Sequence, residues 1–117
     1  MRPAGVHHVS INVRDADESL AFYTDVLGLT ERTDRPDFSF RGAWLDVGGQ
    51  QVHLIEGDVP TSVGQHFAIR VDDLDAVVSE LRGRGVDVRD PKPVGTARQT
   101  FVFDPSGNMI ELHQPSS

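Results

Sequence analysis

The feature that most constrains this chain is an internal repeat. When the sequence is shifted by 58 positions against itself, residues match in two blocks, one near the start and one near the end of the repeated unit. The matched pairs are His8/His66, Ile11/Ile69, Val13/Val71, Asp15/Asp73, Asp17/Asp75, Asp46/Asp104, Gly49/Gly107 and Leu54/Leu112. Chance identities would be scattered, so the sequence predicts two copies of one supersecondary unit. The middle of the two units matches poorly and requires a gap.

The first unit reads as a strand, a helix and further strands. Alternating apolar and polar residues predict a strand over Val6–Val13. Helical spacing follows and stops at Gly28, a residue that commonly ends helices. Phe38–Val47 and Gln51–Glu56 are predicted strands, the former with a bulge at Gly42.

The second unit repeats this order. His66–Val71 is a predicted strand, and a helix is expected whose apolar positions are Leu74, Val77, Val78 and Leu81 and which ends at Gly83 and Gly85. Val86–Val88 is expected as a short strand and Pro91–Gly95 as a loop. The last segment, Gln99–Gln114, predicts a hairpin whose DPSGN turn separates two strands.

Length and composition describe one small globular domain. Its 117 residues suit a single domain, with module one at about 4–57, a linker at 58–63 and module two at about 64–115. The absence of cysteine excludes disulfides, thiolate metal sites and a cysteine nucleophile. A net charge of −7 argues against nucleic-acid binding. With no apolar leader or membrane-length apolar run, we expect a cytoplasmic protein that does not bind membranes.

Four polar residues occupy matching strand positions in the two units. His8 and His53 belong to the first unit, and His66 and Glu111 to the second. Each lies beside apolar residues that point to the opposite face of its strand, because side chains alternate along a strand. A single strand histidine is usually structural, but four such residues at one repeat offset favour a divalent-metal site with imidazole and carboxylate ligands.

Other pairings for these residues stay open. Glu111 could instead pair with Arg70 or Arg98. His113 shares the face of Glu111 and either lines the site or faces solvent, whereas the parity of His7 directs it away. The candidate wall of a substrate pocket, by parity or position, consists of Ser10, Asn12, Trp44, Arg70, Gln99, Phe101 and Met109, with His113 as a further substrate contact.

The chain resembles the vicinal oxygen chelate superfamily, also called the glyoxalase/bleomycin-resistance/dioxygenase superfamily. The segments that carry the resemblance are HHVSINVRDADESLAFYTDVLGL, QVHLIE, HFAIRVDDLDAVVSELRGRGV and FVFDPSGNMIEL, and together they span nearly the whole chain.

This resemblance implies an α+β fold in which two paired βαβββ modules form an open, cup-shaped mixed sheet with helices on its outer face. It also implies that His8, His53, His66 and Glu111 hold one divalent metal ion (Fe, Zn, Mn, Ni or Co) and that the protein acts on a small molecule, often as a homodimer. Glu111 is expected to be catalytic as well, as a base.

The resemblance leaves two functional classes open. One is a metal-dependent isomerase, lyase, epimerase, dioxygenase or thiol transferase that chelates vicinal oxygens of its substrate. Glyoxalase I usually has Glu where this chain has His53, which counts against lactoylglutathione isomerisation. The other class is a metal-free protein that binds a small molecule or antibiotic; the net charge would suit a cationic drug, but the intact ligand set favours an enzyme.

Overall fold

A computed structural model describes residues 1–116 of the chain. Two compact units divide the described residues between Pro60 and Thr61. Each unit has one four-stranded mixed sheet and one α-helix. The predicted α+β class and the pair of βαβββ modules are therefore confirmed. Among the described residues, no helix is both long and apolar enough to cross a bilayer.

The sheet of the first unit has the strand order β1-β4-β3-β2. Its elements are β1 (His8–Val13), α1 (Ala16–Ala21), a π-helical segment (Phe22–Val26), β2 (Thr30–Glu31), β3 (Gly42–Val47) and β4 (Gln50–Glu56). β1 runs parallel to β4, and the other neighbours are antiparallel. The helical connection between β1 and β4 is what allows these two strands to be parallel.

The sheet of the second unit has the equivalent order β5-β8-β7-β6. Its elements are β5 (Phe67–Arg70), α2 (Leu74–Gly83), β6 (Lys92–Val94), β7 (Ala97–Phe103) and β8 (Met109–Gln114). β5 is parallel to β8, and the remaining pairs are antiparallel. In both units the last strand is therefore an inner strand, paired on both sides.

The register of the strands repeats as well as their order. Ser10 pairs with His53 in the first unit, and Ala68 pairs with Glu111 in the second. Ala68 lies 58 residues after Ser10, and Glu111 lies 58 residues after His53. On the other side, Trp44 pairs with His53 and Phe101 with Glu111. Trp44 and Phe101 are 57 residues apart, so the second unit is one residue shorter before β7 and one residue longer between β7 and β8.

One face of each inner strand forms the core of its unit. Val52 and Leu54 of β4 are about 1% exposed, and Ile110 and Leu112 of β8 are no more than 2% exposed. Strand alternation consequently turns His53 and Glu111 to the opposite face of their sheets. Both side chains are nevertheless largely buried, at 8% and 9% exposure.

Both helices are attached to their sheets by the same device. Asp15 and Asp73 are the N-caps, and each side chain accepts a hydrogen bond from a backbone N–H of the first turn. A second acceptor comes from the end of the inner strand. The backbone N–H of Ala16 donates to Glu56 Oε2 at 2.9 Å, and that of Leu74 donates to Gln114 Oε1 at 2.8 Å.

Several predicted elements differ from the structure. Residues 38–41 precede β3 instead of belonging to it, because Phe38 and Phe40 stack on one another and the Phe38 N–H bonds to the Pro36 carbonyl. Val86–Val88 is not a strand. Instead, Lys92–Val94, predicted as a loop, pairs with β7 despite containing Pro93, which an edge strand tolerates.

Gly42 marks a close backbone approach and not the predicted bulge. The register of β3 against β4 is continuous from Gly42 onward. A Cβ atom at this residue would lie 2.1 Å from the Leu54 carbonyl oxygen, a backbone atom that cannot move aside. Only glycine therefore fits at the first residue of β3.

We expect Gly42→Ala to lower the free energy of unfolding by about 2 kcal/mol or more, because β3 must separate from β4 to admit the methyl group. Urea denaturation measures the change. Gly49→Ala is the matched control, since a Cβ at Gly49 meets nothing within 4 Å. Equal stability of the two variants would contradict the account of Gly42.

The duplicated helix attachment predicts a difference between two substitutions of Glu56. Glu56→Gln retains an oxygen for the Ala16 N–H, as Gln114 does for Leu74, and should change stability little. Glu56→Ala removes the acceptor and should cost about 1 kcal/mol. Thermal or urea unfolding of both variants checks this, and equal losses would show that the oxygen is not what stabilises the start of the helix.

Candidate functional site

A row of three side chains crosses the non-core face of the first sheet. Ser10, His53 and Trp44 are neighbours in the registers of β1, β4 and β3. In the second unit the same row is Ala68, Glu111 and Phe101. The central position of this row is therefore an imidazole in the first unit and a carboxylate in the second.

His53 lies between two flat side chains. Its ring stacks on His8 with a centroid distance of 4.0 Å and on Trp44 with a distance of 4.4 Å, both nearly parallel. Its Nε2 lies 2.8 Å from Gln51 Oε1. Burial, followed by the nearby His8, lowers the pKa of His53 below its ordinary value. The lowered pKa favours the neutral ring, which is the form of imidazole that binds metals.

His7 corrects one expectation from strand parity. It precedes β1 instead of lying within it, and its Nδ1 is 2.9 Å from the Nδ1 of His8. Their rings also meet edge to face, with centroids 5.2 Å apart. His7 therefore contacts a candidate ligand, although alternation directed it away.

In the second unit, two histidines contact the carboxylate of Glu111. Nε2 of His66 lies 2.9 Å from Oε1, and Nδ1 of His113 lies 2.8 Å from Oε2. The carboxylate thus has one imidazole at each oxygen. This arrangement compensates for the burial of a charge that would be unfavourable if it were left unpaired.

The second nitrogen of His66 also has a partner. Nδ1 lies 2.8 Å from the backbone carbonyl oxygen of Gly64, which can only accept, so Nδ1 carries a hydrogen. The Gly64 carbonyl and then Glu111 raise the pKa of His66 above its ordinary value. When the ring is neutral, this bond leaves the lone pair on Nε2, the nitrogen that faces Glu111.

The arginines that could have paired with Glu111 contact other residues. Arg98 donates to Asp75 at 2.9 Å, and Arg70 lies 3.6 Å from Asp72. Both pairs are substantially exposed. The pairing of Glu111 with imidazoles is consequently the one that the fold selects.

The other predicted wall residues occupy varied positions. Asn12 Nδ2 donates to the Asp58 carbonyl oxygen at 2.8 Å. Phe101 meets His66 edge to face at 5.2 Å. Gln99 pairs with His113 across β7 and β8, and Met109 pairs with Phe103. Ser10 and Arg70 are exposed.

Sequence analysis did not single out several residues that surround these pairs. Gln51 lies on the same face of β4 as His53, so strand parity offered a signal for it. Gly64 contributes only a backbone carbonyl, which carries no side-chain signal. Phe38 and Phe40 alternate with polar residues as strand residues do, so the sequence pattern predicted a strand. In the structure they belong to the loop before β3, where their rings stack on each other.

The four predicted ligands therefore form two pairs, each within its own unit. His66 and Glu111 face each other through a nitrogen and an oxygen, whereas His8 and His53 meet through their ring faces. Within residues 1–116, no group of three or more His, Asp or Glu side chains is arranged to hold a metal ion.

The fold and these paired positions agree with a family match. Residues 5–112 match the model of the Glyoxalase/Bleomycin resistance protein/Dioxygenase superfamily. The chain belongs to this superfamily, as the resemblance of its motifs indicated.

Three known proteins illustrate the similarity. A Synechocystis protein named probable lactoylglutathione lyase is 34% identical over 94% of this chain and 95% of its own length. TnmS3, an antibiotic binding protein from Streptomyces sp. CB03234, is 31% identical over 99% of each chain, with a TM-score of 0.81. The Mn(II) complex of an E126Q mutant of the fosfomycin resistance protein FosX from Listeria monocytogenes has a TM-score of 0.83 at 20% identity, covering 98% of this chain and 95% of that one.

Proposed function

We propose that this protein is a divalent-metal-dependent enzyme that acts on adjacent oxygen atoms of a small molecule. The observation that carries the proposal is the buried carboxylate of Glu111 facing Nε2 of His66. These two residues are the proposed metal ligands of the second unit. His8 and His53 are the further ligands that membership of the superfamily implies.

The residues of the second unit fit such an ion. Imidazole nitrogen and carboxylate oxygen are ligands for Fe, Zn, Mn, Ni and Co. The hydrogen bond from His66 Nδ1 to the Gly64 carbonyl is the kind of outer contact that orients a metal-binding histidine. The neutral state of His53 likewise suits a ligand. A bound ion would supply Lewis-acid polarisation of the substrate oxygens.

Glu111 is also the proposed base. With Oε1 directed at His66, Oε2 is the oxygen that would accept a substrate proton. His113 Nδ1 lies 2.8 Å from Oε2 and holds it in place. In this proposal His113 positions Glu111, and Trp44 and Phe101 remain substrate-contact candidates beside the inner strands.

The reaction that we propose is more specific than membership of the superfamily alone implies. The Synechocystis relative is named for lactoylglutathione, but this chain has His53 where glyoxalase I usually has a carboxylate. A neutral ligand leaves Glu111 as the only carboxylate of the proposed set. We therefore favour a reaction with one base on a substrate with vicinal oxygens over the isomerisation of lactoylglutathione.

A second candidate is a binding protein without chemistry. The similarity to TnmS3, named an antibiotic binding protein, favours it, as does the stacking of His8 on His53 in place of converging nitrogens. Under either function we propose a homodimer in the cytoplasm with a small-molecule ligand.

Metal content tests the choice between these functions. Protein purified without chelator should contain about one equivalent of a divalent metal by mass spectrometry. His66→Ala and Glu111→Ala should lose it because each removes a ligand. Glu80→Ala, which removes an exposed helical carboxylate, is the control and should retain it. A parent protein that neither contains nor takes up divalent ions would overturn the enzyme proposal and favour the binding protein.

The positioning role of His113 predicts an intermediate effect. His113→Ala frees Oε2 of Glu111, and the affinity for added metal should fall about tenfold, as for other outer contacts of ligands. His113→Gln keeps a donor and should recover part of the loss. Chelator competition measures the affinity. Unchanged affinity in His113→Ala would show that His113 does not orient Glu111.

A further inference from the structure

We infer that His7 orients a metal ligand: its Nδ1 accepts a hydrogen bond from Nδ1 of His8, and this leaves the lone pair on Nε2 of His8 for the metal ion. The inference rests on the proposed function, because it names the ligand atom that β1 supplies and assigns a positioning residue to it. It is carried by the contact between the two neighbouring imidazoles and by an equivalent contact in the second unit.

Backbone pairing holds His7 at the start of the first sheet. Its carbonyl oxygen accepts a hydrogen bond from the N–H of Gln51 at 3.1 Å, and His8 is the residue opposite Gln51 in the register of β1 and β4. His7 itself lies outside β1, so its side chain does not have to follow the alternation of a strand. The rings of His7 and His8 can therefore meet edge to face, with an interplanar angle of 86°.

Stacking on His53 fixes the plane of the His8 ring but not its direction within that plane. The two ring centroids are 4.0 Å apart, and the planes are inclined by 13°. A half-turn of His8 about its Cβ–Cγ bond would preserve this stack, because it exchanges each ring nitrogen with a ring carbon. The contact with His7 distinguishes the two orientations, since only one of them brings Nδ1 of His8 to 2.9 Å from Nδ1 of His7.

The same contact determines which nitrogen of His8 carries the hydrogen. When both rings are neutral, one Nδ1 must donate and the other must accept. If His8 accepts, its Nε2 carries a hydrogen, and neither of its nitrogens can bind a metal ion. If His8 donates, its Nε2 has the lone pair. A ligand role for His8 in this orientation therefore requires His7 to be the acceptor.

The second unit has the same arrangement with an unambiguous direction. His66 lies 58 residues after His8, and its Nδ1 donates to the Gly64 carbonyl oxygen, which can only accept. In each unit the acceptor belongs to the segment that leads into the strand. Within residues 1–116, the ring of His8 has no hydrogen-bond partner other than His7. His7 thus has the role in the first unit that the Gly64 carbonyl has in the second.

The position of the ring hydrogen tests this assignment in the metal-free protein. Long-range proton–nitrogen NMR spectra at about pH 9, above the ordinary pKa of imidazole, distinguish an Nδ1–H ring from an Nε2–H ring. The parent should have the Nδ1–H form of His8, and His7→Ala should revert to the Nε2–H form that free histidine prefers. His7→Asn should retain the Nδ1–H form, because the amide oxygen of asparagine can occupy the place of Nδ1. The spectrum of His8→Gln identifies the His8 signals.

Zinc affinity tests the consequence for the ligand. Competition with a chromophoric chelator should show Zn²⁺ binding about tenfold weaker in His7→Ala, as for other outer contacts of metal-binding histidines. His7→Asn should recover most of that loss. Val6→Ala is the matched control, because it removes an exposed side chain from the same segment and should bind Zn²⁺ like the parent. In the Zn²⁺-loaded parent, the His8 nitrogen whose signal shifts on binding should be Nε2.

Several results would overturn the inference. These are an Nε2–H form of His8 in the parent, an unchanged tautomer or Zn²⁺ affinity in His7→Ala, or a loss of affinity in His7→Asn as large as in His7→Ala, which would make His7 itself a ligand. A parent that binds Zn²⁺ with His8 in the Nε2–H form would leave the enzyme proposal standing. A parent with the expected tautomers that binds no Zn²⁺ would overturn the enzyme proposal and leave the orientation of His8 by His7 standing.

Discussion

A carboxylate buried in the middle of an inner strand is the constraint on which the second unit depends. Glu111 lies between the core residues Ile110 and Leu112, so its backbone position is fixed by the packing of their side chains on the opposite face. The negative charge of its side chain must then be compensated on the non-core face of the sheet. His66 and His113 do this, each at one of the two carboxylate oxygens. Positions of ligand candidates thus follow from core packing.

The first unit uses the same framework with different chemistry. His53 occupies the position of Glu111 in the repeated register, and aromatic rings replace the charge contacts of the second unit. Burial and the nearby His8 lower the pKa of His53, whereas the Gly64 carbonyl and then Glu111 raise the pKa of His66. A duplicated fold therefore supplies one neutral, aromatic surface and one charged cluster.

Much of this arrangement could be predicted from the sequence, because it depends on strand periodicity and repeat offset. Those two signals predicted the four ligand candidates and the positions of β1, β4 and β8. Contacts that depend on the path of a loop could not be predicted in this way. Phe38 and Phe40 read as strand residues, and the contact of Gly64 with His66 is made by backbone atoms. The acceptors at Glu56 and Gln114 become visible only once the strand ends meet the helix starts.

A difference in length between the two repeats determines which side chain lies beside Glu111. Phe101 and Glu111 are one residue further apart along the chain than Trp44 and His53, and this additional residue in the second hairpin places Phe101 beside Glu111. With the spacing of the first hairpin, the residue beside Glu111 would be Val102, whose side chain belongs to the core face. Register, set in both units by the buried faces, therefore decides which side chains adjoin the candidate ligands.

Anomalous X-ray diffraction from crystals of the metal-loaded protein would show directly whether His66 and Glu111 bind a metal ion. We expect an anomalous peak about 2.0–2.3 Å from His66 Nε2 and from an oxygen of Glu111. His66 Nδ1 should keep its bond to the Gly64 carbonyl, and His113 should remain on the other oxygen of Glu111. A peak bound elsewhere, or crystals that take up no metal while His66 and Glu111 stay paired with each other, would contradict the claim.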